Sequence, residues 1–179
     1  SFYPCGNGDA IAALQKSGLL KSFVESGGKH VVVVNVNNLL ASPDPTLIGQ
    51  HIESDSPVTC EVVPKRREDS GGVLCNHMGF DQIVEQPRFY MQPDQETFKW
   101  LSTNTYVFKA DLDFSAVKWS WHRIKKEFKG SLVVQHERLL QDLTSTFATQ
   151  YVSSPRDERY MPVRSHEDLQ DASRIFRKL

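Results

Sequence analysis

The chain has 179 residues, 39% hydrophobic and 24% charged, with a formal net charge of -1. That length allows one domain with a sizeable core, and the composition excludes a disordered or membrane-embedded chain. The near-neutral balance gives no electrostatic footprint for nucleic acid, and no apolar run approaches a membrane span.

The chain opens on SFYPCGNGD, which reads as the middle of a motif and predicts that these residues are one piece of a longer polypeptide. Residues 9–25 place Ile11, Leu14, Leu19, Leu20, Phe23 and Val24 on an approximate helical stripe. Asp9 stands at the N-cap position, and Gly18 weakens the middle. After Ser26, Gly27 and Gly28, HVVVVNV (30–36) is a β-branched run between helical segments. It predicts a central parallel strand buried on both faces, with Asn37 and Asn38 just beyond its carboxyl end. Asp44-Pro45 starts a helix running to about Ser54, with Pro45 at its first position.

Next come strands at 58–64, 72–78 and 80–86, the last two forming a hairpin about Gly79, and a further strand at 103–110. Residues 135–149 read as a helix. Ser165 with Asp168 forms a capping box that opens a last helix to about Lys178. The mixture predicts an α/β fold. Cys5, Cys60 and Cys75 show neither CxxC spacing nor an even count, which predicts reduced thiols in a cytoplasmic setting and no zinc site. The six histidines show no ligand spacing, and Trp100, Trp119 and Trp121 read as packing residues.

Several loops could carry chemistry. CGNGD (5–9) is either a turn with its helix cap or a place where backbone N–H groups approach a phosphate or a flat base. Asn35, Asn37 and Asn38 are either a polar turn or a ligand-facing strand end. In PKRREDSGG (64–72), Lys65, Arg66 and Arg67 could neutralise phosphates, and Gly71-Gly72 could lie flat against a sugar; an exposed charged loop is the other reading. Glu85 and Asn104, at strand ends, could bind sugar hydroxyls or serve as structural polar residues.

Taken in order, YPCGNGDAIAAL (3–14), VNVNNLLASPDPTLIG (34–49), CEVVPKRREDSGGVLC (60–75), IVEQP (83–87), STNTYVF (102–108) and RDERYMPVRSHEDL (156–169) resemble motifs of one family. It is that of the eukaryotic-type UDP-glucose pyrophosphorylases, within the wider UDP-sugar pyrophosphorylases. The resemblance implies a Rossmann-like nucleotidyltransferase mixed sheet, mostly parallel in its core with antiparallel additions and incomplete in this chain. Residues 1–179 would be the C-terminal half of a catalytic domain, lacking the family's N-terminal glycine-rich UTP loop.

The implied chemistry is in-line attack of a sugar 1-phosphate, glucose 1-phosphate foremost, on the α-phosphate of UTP, with Mg²⁺ balancing the charge. The implied partners are UTP, the sugar 1-phosphate and the remainder of the polypeptide, with neither nucleic acid nor membrane. By motif match, Gly8 would sit against the uracil, and Lys65 would lie in the basic loop. Gly72, Glu85 and Asn104 would hold the sugar, and Arg164 would take the place of a phosphate-binding lysine. Asn37 would occupy the position of the family's metal- and α-phosphate-facing aspartate. That last departure matters, because a neutral amide oxygen can coordinate Mg²⁺ but cannot balance its charge. It leaves a second reading open, a non-catalytic homologue that senses a sugar nucleotide or acts as an interaction subunit.

Overall fold

The computed structural model describes residues 6–77, 79–85, 97–128 and 130–176. Helices α1 (Asp9–Lys16) and α2 (Leu19–Glu25) lead into strand β1 (His30–Val33), helix α3 (Pro45–Ser54) and strand β2 (Val58–Pro64). Then come β3 (Gly72–His77), β4 (Phe80–Glu85), β5 (Trp100–Lys109), β6 (His122–Phe128), β7 (Ser131–Glu137) and β8 (Thr149–Ser153). Short helix α4 (Arg156–Arg159) and helix α5 (His166–Phe176) follow. The main sheet has the order β4-β3-β5-β2-β8, with β1 also paired to β5, and β6-β7 form a separate two-stranded ribbon.

Side-chain alternation along β2 explains why it sits inside the sheet. Val58, Cys60 and Val62 point to one face and join Ile11, Leu20, Tyr106, Phe108, Leu140 and Leu143 in the main core. Thr59, Glu61 and Val63 point to the other. There Thr59 meets His51 of α3, Glu61 meets Arg159 of α4, and Val63 packs with Val73 and Leu101. One face is therefore the main apolar core, and the opposite face carries a buried polar layer beside a small apolar cluster.

Three expectations hold closely. Helix α3 starts at Pro45, and Asp44 accepts hydrogen bonds from the Thr46 and Leu47 N–H groups at 2.7 and 3.3 Å. The β3-β4 hairpin turns at Gly79, whose φ of 94° a side chain would resist. In the last helix the Asp168 N–H donates to Ser165 Oγ at 3.1 Å, and the Ser165 N–H donates to the Asp168 carboxylate at 2.8 Å. The expected extension to Lys178 and the thiol of Cys5 lie outside the described residues.

Others are corrected. The single helix over 9–25 is broken at Gly18, which turns with φ 76°, and the cap of α1 is Gly8, with Asp9 already helical. The strand expected to be central and parallel is four residues long, half-buried, and antiparallel to β5, its one partner among the described residues. A run of valines reports apolar surroundings, whereas the neighbouring strand decides direction and place. The mixed α/β sheet stands, but its parallel pairing in this chain is β2 with β8, and the other described pairings of the main sheet are antiparallel.

Residues 135–149, expected helical, are divided between β7, a 3₁₀ turn (Leu140–Ser145) and the start of β8. The 3₁₀ turn buries Leu140 and Leu143 against the main core without a helix. Val133 and Val134 are claimed by pairing with β6. Among the described residues, no helix is long and apolar enough to cross a membrane.

Candidate functional site

The residues singled out from the sequence lie on the β3-β4 hairpin, on β5 and on the loops around them. Gly72 and Glu85 are direct cross-strand partners at the open end of the hairpin, and Val73 pairs with Leu101 of β5. Gly72 is tightly enclosed: a Cβ there would meet Ile83 Cγ2 at 2.5 Å and the Gln141 side-chain amide at 2.7 Å. With its amide oriented to suit both partners, Gln141 donates to Glu85 Oε1 at 3.3 Å and accepts from the Glu85 N–H at 3.2 Å.

Asn104 lies three positions along β5 from Leu101, in a β-bulge. Cys60 pairs with Tyr106 and Val62 with Ser102, so Thr103, Asn104 and Thr105 all stand opposite Glu61 alone. Asn104 takes a left-handed φ of 60°, and its N–H donates to Ser102 Oγ at 3.1 Å. Such backbone persists where surrounding contacts over-determine it, a pattern concentrated at ligand clamps.

The basic loop after β2 is folded against the segment that carries Arg164. Arg156 donates to both carboxylate oxygens of Asp69, at 2.8 and 2.7 Å, and Arg66 reaches Asp157 at 3.1 Å. Arg164 donates to Ser70 Oγ at 2.5 Å and to the Ser70 carbonyl at 2.9 Å. Lys65 begins the same loop, with its N–H on the Lys99 carbonyl at 2.9 Å. Lys65 and Arg164 therefore flank one loop that leads directly into Gly72.

Asn37 follows β1, half-buried, and its carbonyl accepts from the Val163 N–H at 2.7 Å. Asn38 is 3% exposed; its Nδ2 donates to the Arg159 carbonyl at 2.8 Å and its Oδ1 accepts from the Met161 N–H at 2.8 Å. Asn38 is thus a structural amide that ties this loop to the chain before Arg164. Gly8 has a packing role as well. Its N–H donates to the Arg138 carbonyl at 2.9 Å, and a Cβ would come within 2.8 Å of backbone atoms of Arg138 and Leu139. The neighbouring Asn7 Oδ1 accepts from the Leu140 N–H at 2.9 Å, so this loop is stitched to the turn that supplies Gln141.

The other sequence candidates fall elsewhere. Trp100 and Trp119 pack against the main core as expected, whereas Trp121 is 61% exposed with the Arg138 guanidinium 5.0 Å from its ring centre. Burial pushes the Cys60 thiol up to about 12, so it is no nucleophile. Among the described residues no group of three or more His, Cys, Asp or Glu could hold a metal ion. Asn37 offers a single neutral oxygen, so these residues do not fit a carboxylate-held magnesium.

Two residues absent from the sequence-based list sit at the centre of the arrangement, Glu61 and Arg159. The signal was a lone carboxylate in the middle of the strand VTCEVVP, where burial requires a partner.

The mixed α/β sheet is of the nucleotidyltransferase class of fold, as superposition on solved structures shows. The chain superposes on a mutant UDP-glucose pyrophosphorylase from Leishmania major, in complex with UDP-glucose, with a TM-score of 0.76 at 22% identity, covering 93% of this chain and 41% of that one. A UDP-N-acetylglucosamine pyrophosphorylase from Entamoeba histolytica, itself described as putative, gives 0.75 at 18% identity, covering 93% and 47%. The chain belongs to the UTP–glucose-1-phosphate uridylyltransferase family, whose profile matches residues 1–176. It is 30% identical over 183 residues to UTP–glucose-1-phosphate uridylyltransferase of Hordeum vulgare, covering 94% of this chain and 38% of that one; the Solanum tuberosum protein gives 28%, with the same coverage. The chain thus spans about two fifths of the length of these relatives.

Proposed function

We propose that this chain forms the sugar-facing part of a UTP–sugar-1-phosphate uridylyltransferase, with glucose 1-phosphate as the sugar substrate. The observation that carries the reading is the pairing of Gly72 with Glu85 on the hairpin that joins β5, the strand on which Asn104 is left-handed, in a chain of this family. A carboxylate and a carboxamide suit vicinal hydroxyls, and the missing side chain of Gly72 leaves room for the Gln141 amide that holds Glu85. In this reading a sugar phosphate oxygen attacks the α-phosphorus of UTP. The bond to the bridging β-phosphate oxygen breaks, and pyrophosphate leaves.

Lys65 and Arg164 flank the loop that would meet the phosphates, where Arg brings a planar fork in place of a point charge. Gly8 would close the uracil end and Asn37 would face the α-phosphate. Magnesium enters as a counter-ion of the UTP phosphates, and no step is assigned to an ion held by this chain. A cytoplasmic setting suits the free thiols of Cys60 and Cys75.

The test is titration of the ¹⁵N-labelled chain with UDP-glucose. Amide shifts concentrated at Gly72, Glu85 and Asn104 support the reading, and shifts scattered away from them reject it. The chain alone is expected to show no appreciable turnover. A second reading, a non-catalytic homologue, is favoured by the motif match that would put Asn37 in the place of the family's aspartate. In a polypeptide extended to the length of its relatives, Asn37→Asp should raise pyrophosphate release or lower the magnesium requirement. Inactivity with both residues would favour the non-catalytic reading.

A further inference from the structure

Glu61 is 1% exposed in the middle of β2, and a carboxylate so deep must have both oxygens paired. Its Oε1 accepts from Arg159 Nε at 2.7 Å and from Ser154 Oγ at 3.0 Å, while its Oε2 accepts from Thr103 Oγ1 at 2.8 Å. Thr103 is the first residue of the bulge that carries Asn104, and its hydroxyl also accepts the Thr105 N–H at 3.2 Å. Glu61 thereby grips the bulge from below.

Arg159, 8% exposed, reaches in the opposite direction. Its guanidinium donates to Ser42 Oγ at 2.9 Å and to the Ser42 carbonyl at 3.0 Å, with Asp44 at 3.6 Å. Its own carbonyl holds Asn38. The loop from Asn35 to Ser42 is therefore fastened at Asn38 and Ser42 to one residue, and that residue is fastened to Glu61.

A buried ion pair is a weak source of stability, because desolvation offsets its attraction and an apolar pair of similar volume holds two layers together at least as well. What the pair adds is geometry. Arg159 gives Glu61 one Nε–H bond and grips Ser42 with its other two nitrogens, and the Thr103 hydroxyl holds the second Glu61 oxygen, which leaves each partner one orientation.

We propose that Glu61 and Arg159 are positioning residues that hold the Asn104 bulge and the Asn35–Ser42 loop at one fixed separation, so that the sugar end and the nucleotide end of one ligand are met together. The inference rests on the sugar-nucleotide reading for what the two loops bind, but their coupling is measurable without ligand. The residues touch neither substrate nor the reacting atoms in this account; they act through the loops.

The experiment uses the labelled 179-residue chain with Glu61→Gln, Arg159→Met and the double change Glu61→Met with Arg159→Met. Each single change is expected to move the resonances of both Asn104 and Asn38, and to speed exchange of the Asn104 and Met161 amides by roughly tenfold, the scale for residues sharing one network. The double apolar variant is expected to recover the parent's melting temperature while Asn104 loses its left-handed ¹³C shifts, a readout that a merely structural pair would restore with the fold. If a single variant fails to fold, the double variant decides.

The proposal is overturned if Glu61→Gln moves Asn104 alone and Arg159→Met moves Asn38 alone, or if the folded double variant keeps the parent resonances at both loops. Failure of the parent chain to bind UDP-glucose would count against the sugar-nucleotide reading, while the ligand-free resonances would still decide the coupling.

Discussion

His51 gives the chain a pH-dependent stability whose size follows from its surroundings. The ring is 0% exposed on α3, with Nδ1 2.8 Å from Thr59 Oγ1 and Nε2 3.1 Å from His30 Nδ1. Burial foremost, then the charges of His30 and Lys109, lower its pKa from 6.5 to about 4, against a smaller opposing pull from Asp55. Because the folded value lies below the unfolded one, the unfolded chain takes up the proton first. The contribution of the neutral ring is complete above about pH 6.5 and is lost as pH falls from there toward 4. At 1.36 kcal/mol per pH unit, linkage gives a loss of about 2 kcal/mol by pH 5 and about 3 kcal/mol by pH 4. That is a large share of the roughly 5–15 kcal/mol available to a domain.

The assay is urea unfolding of the chain and of His51→Gln, an uncharged side chain that still offers Thr59 a hydrogen bond, at intervals from about pH 7.5 to 4.5. Carboxylates titrate in both proteins, so the difference between the two curves isolates the ring. The expected difference is constant above pH 7 and shifts by about 2 kcal/mol in favour of the variant by pH 5. A difference that stays flat over the whole range would refute the buried neutral ring of His51.

Gly8→Ala should destabilise the chain by about 1–3 kcal/mol, because the new Cβ meets backbone at 2.8 Å and no side chain can yield; an unchanged urea midpoint would contradict this. Asn104→Gly should hold or raise stability by up to about 1 kcal/mol, since glycine takes φ 60° freely, while UDP-glucose affinity falls. Affinity retained with the carboxamide gone would remove Asn104 from the sugar site. Asp44→Ala removes the acceptor for two N–H groups of α3 and should cost about 1 kcal/mol by thermal or urea unfolding, with no effect expected if solvent serves those groups equally well.

The amino-acid sequence by itself determined those features whose cause is local. Pro45 after Asp44, the Ser165–Asp168 box and Gly79 between two alternating runs each carry the stereochemistry of the element they open or turn, so their places were legible from a few neighbouring residues. The order of the motifs likewise identified the family. Strand direction, the division of residues 135–149 and the partners of Glu61 were decided by the tertiary structure alone. HVVV looks the same beside a parallel or an antiparallel neighbour, and the 3₁₀ turn at Leu140–Ser145 buries the leucines that a helix would have buried. Glu61 becomes intelligible only when Arg159, 98 positions away, and Thr103, 42 positions away, are folded onto its two oxygens. Local chemistry is carried by adjacent residues, but the pairing of a buried charge depends on which distant segment the sheet brings within 3 Å, and spacing along the chain does not encode that distance.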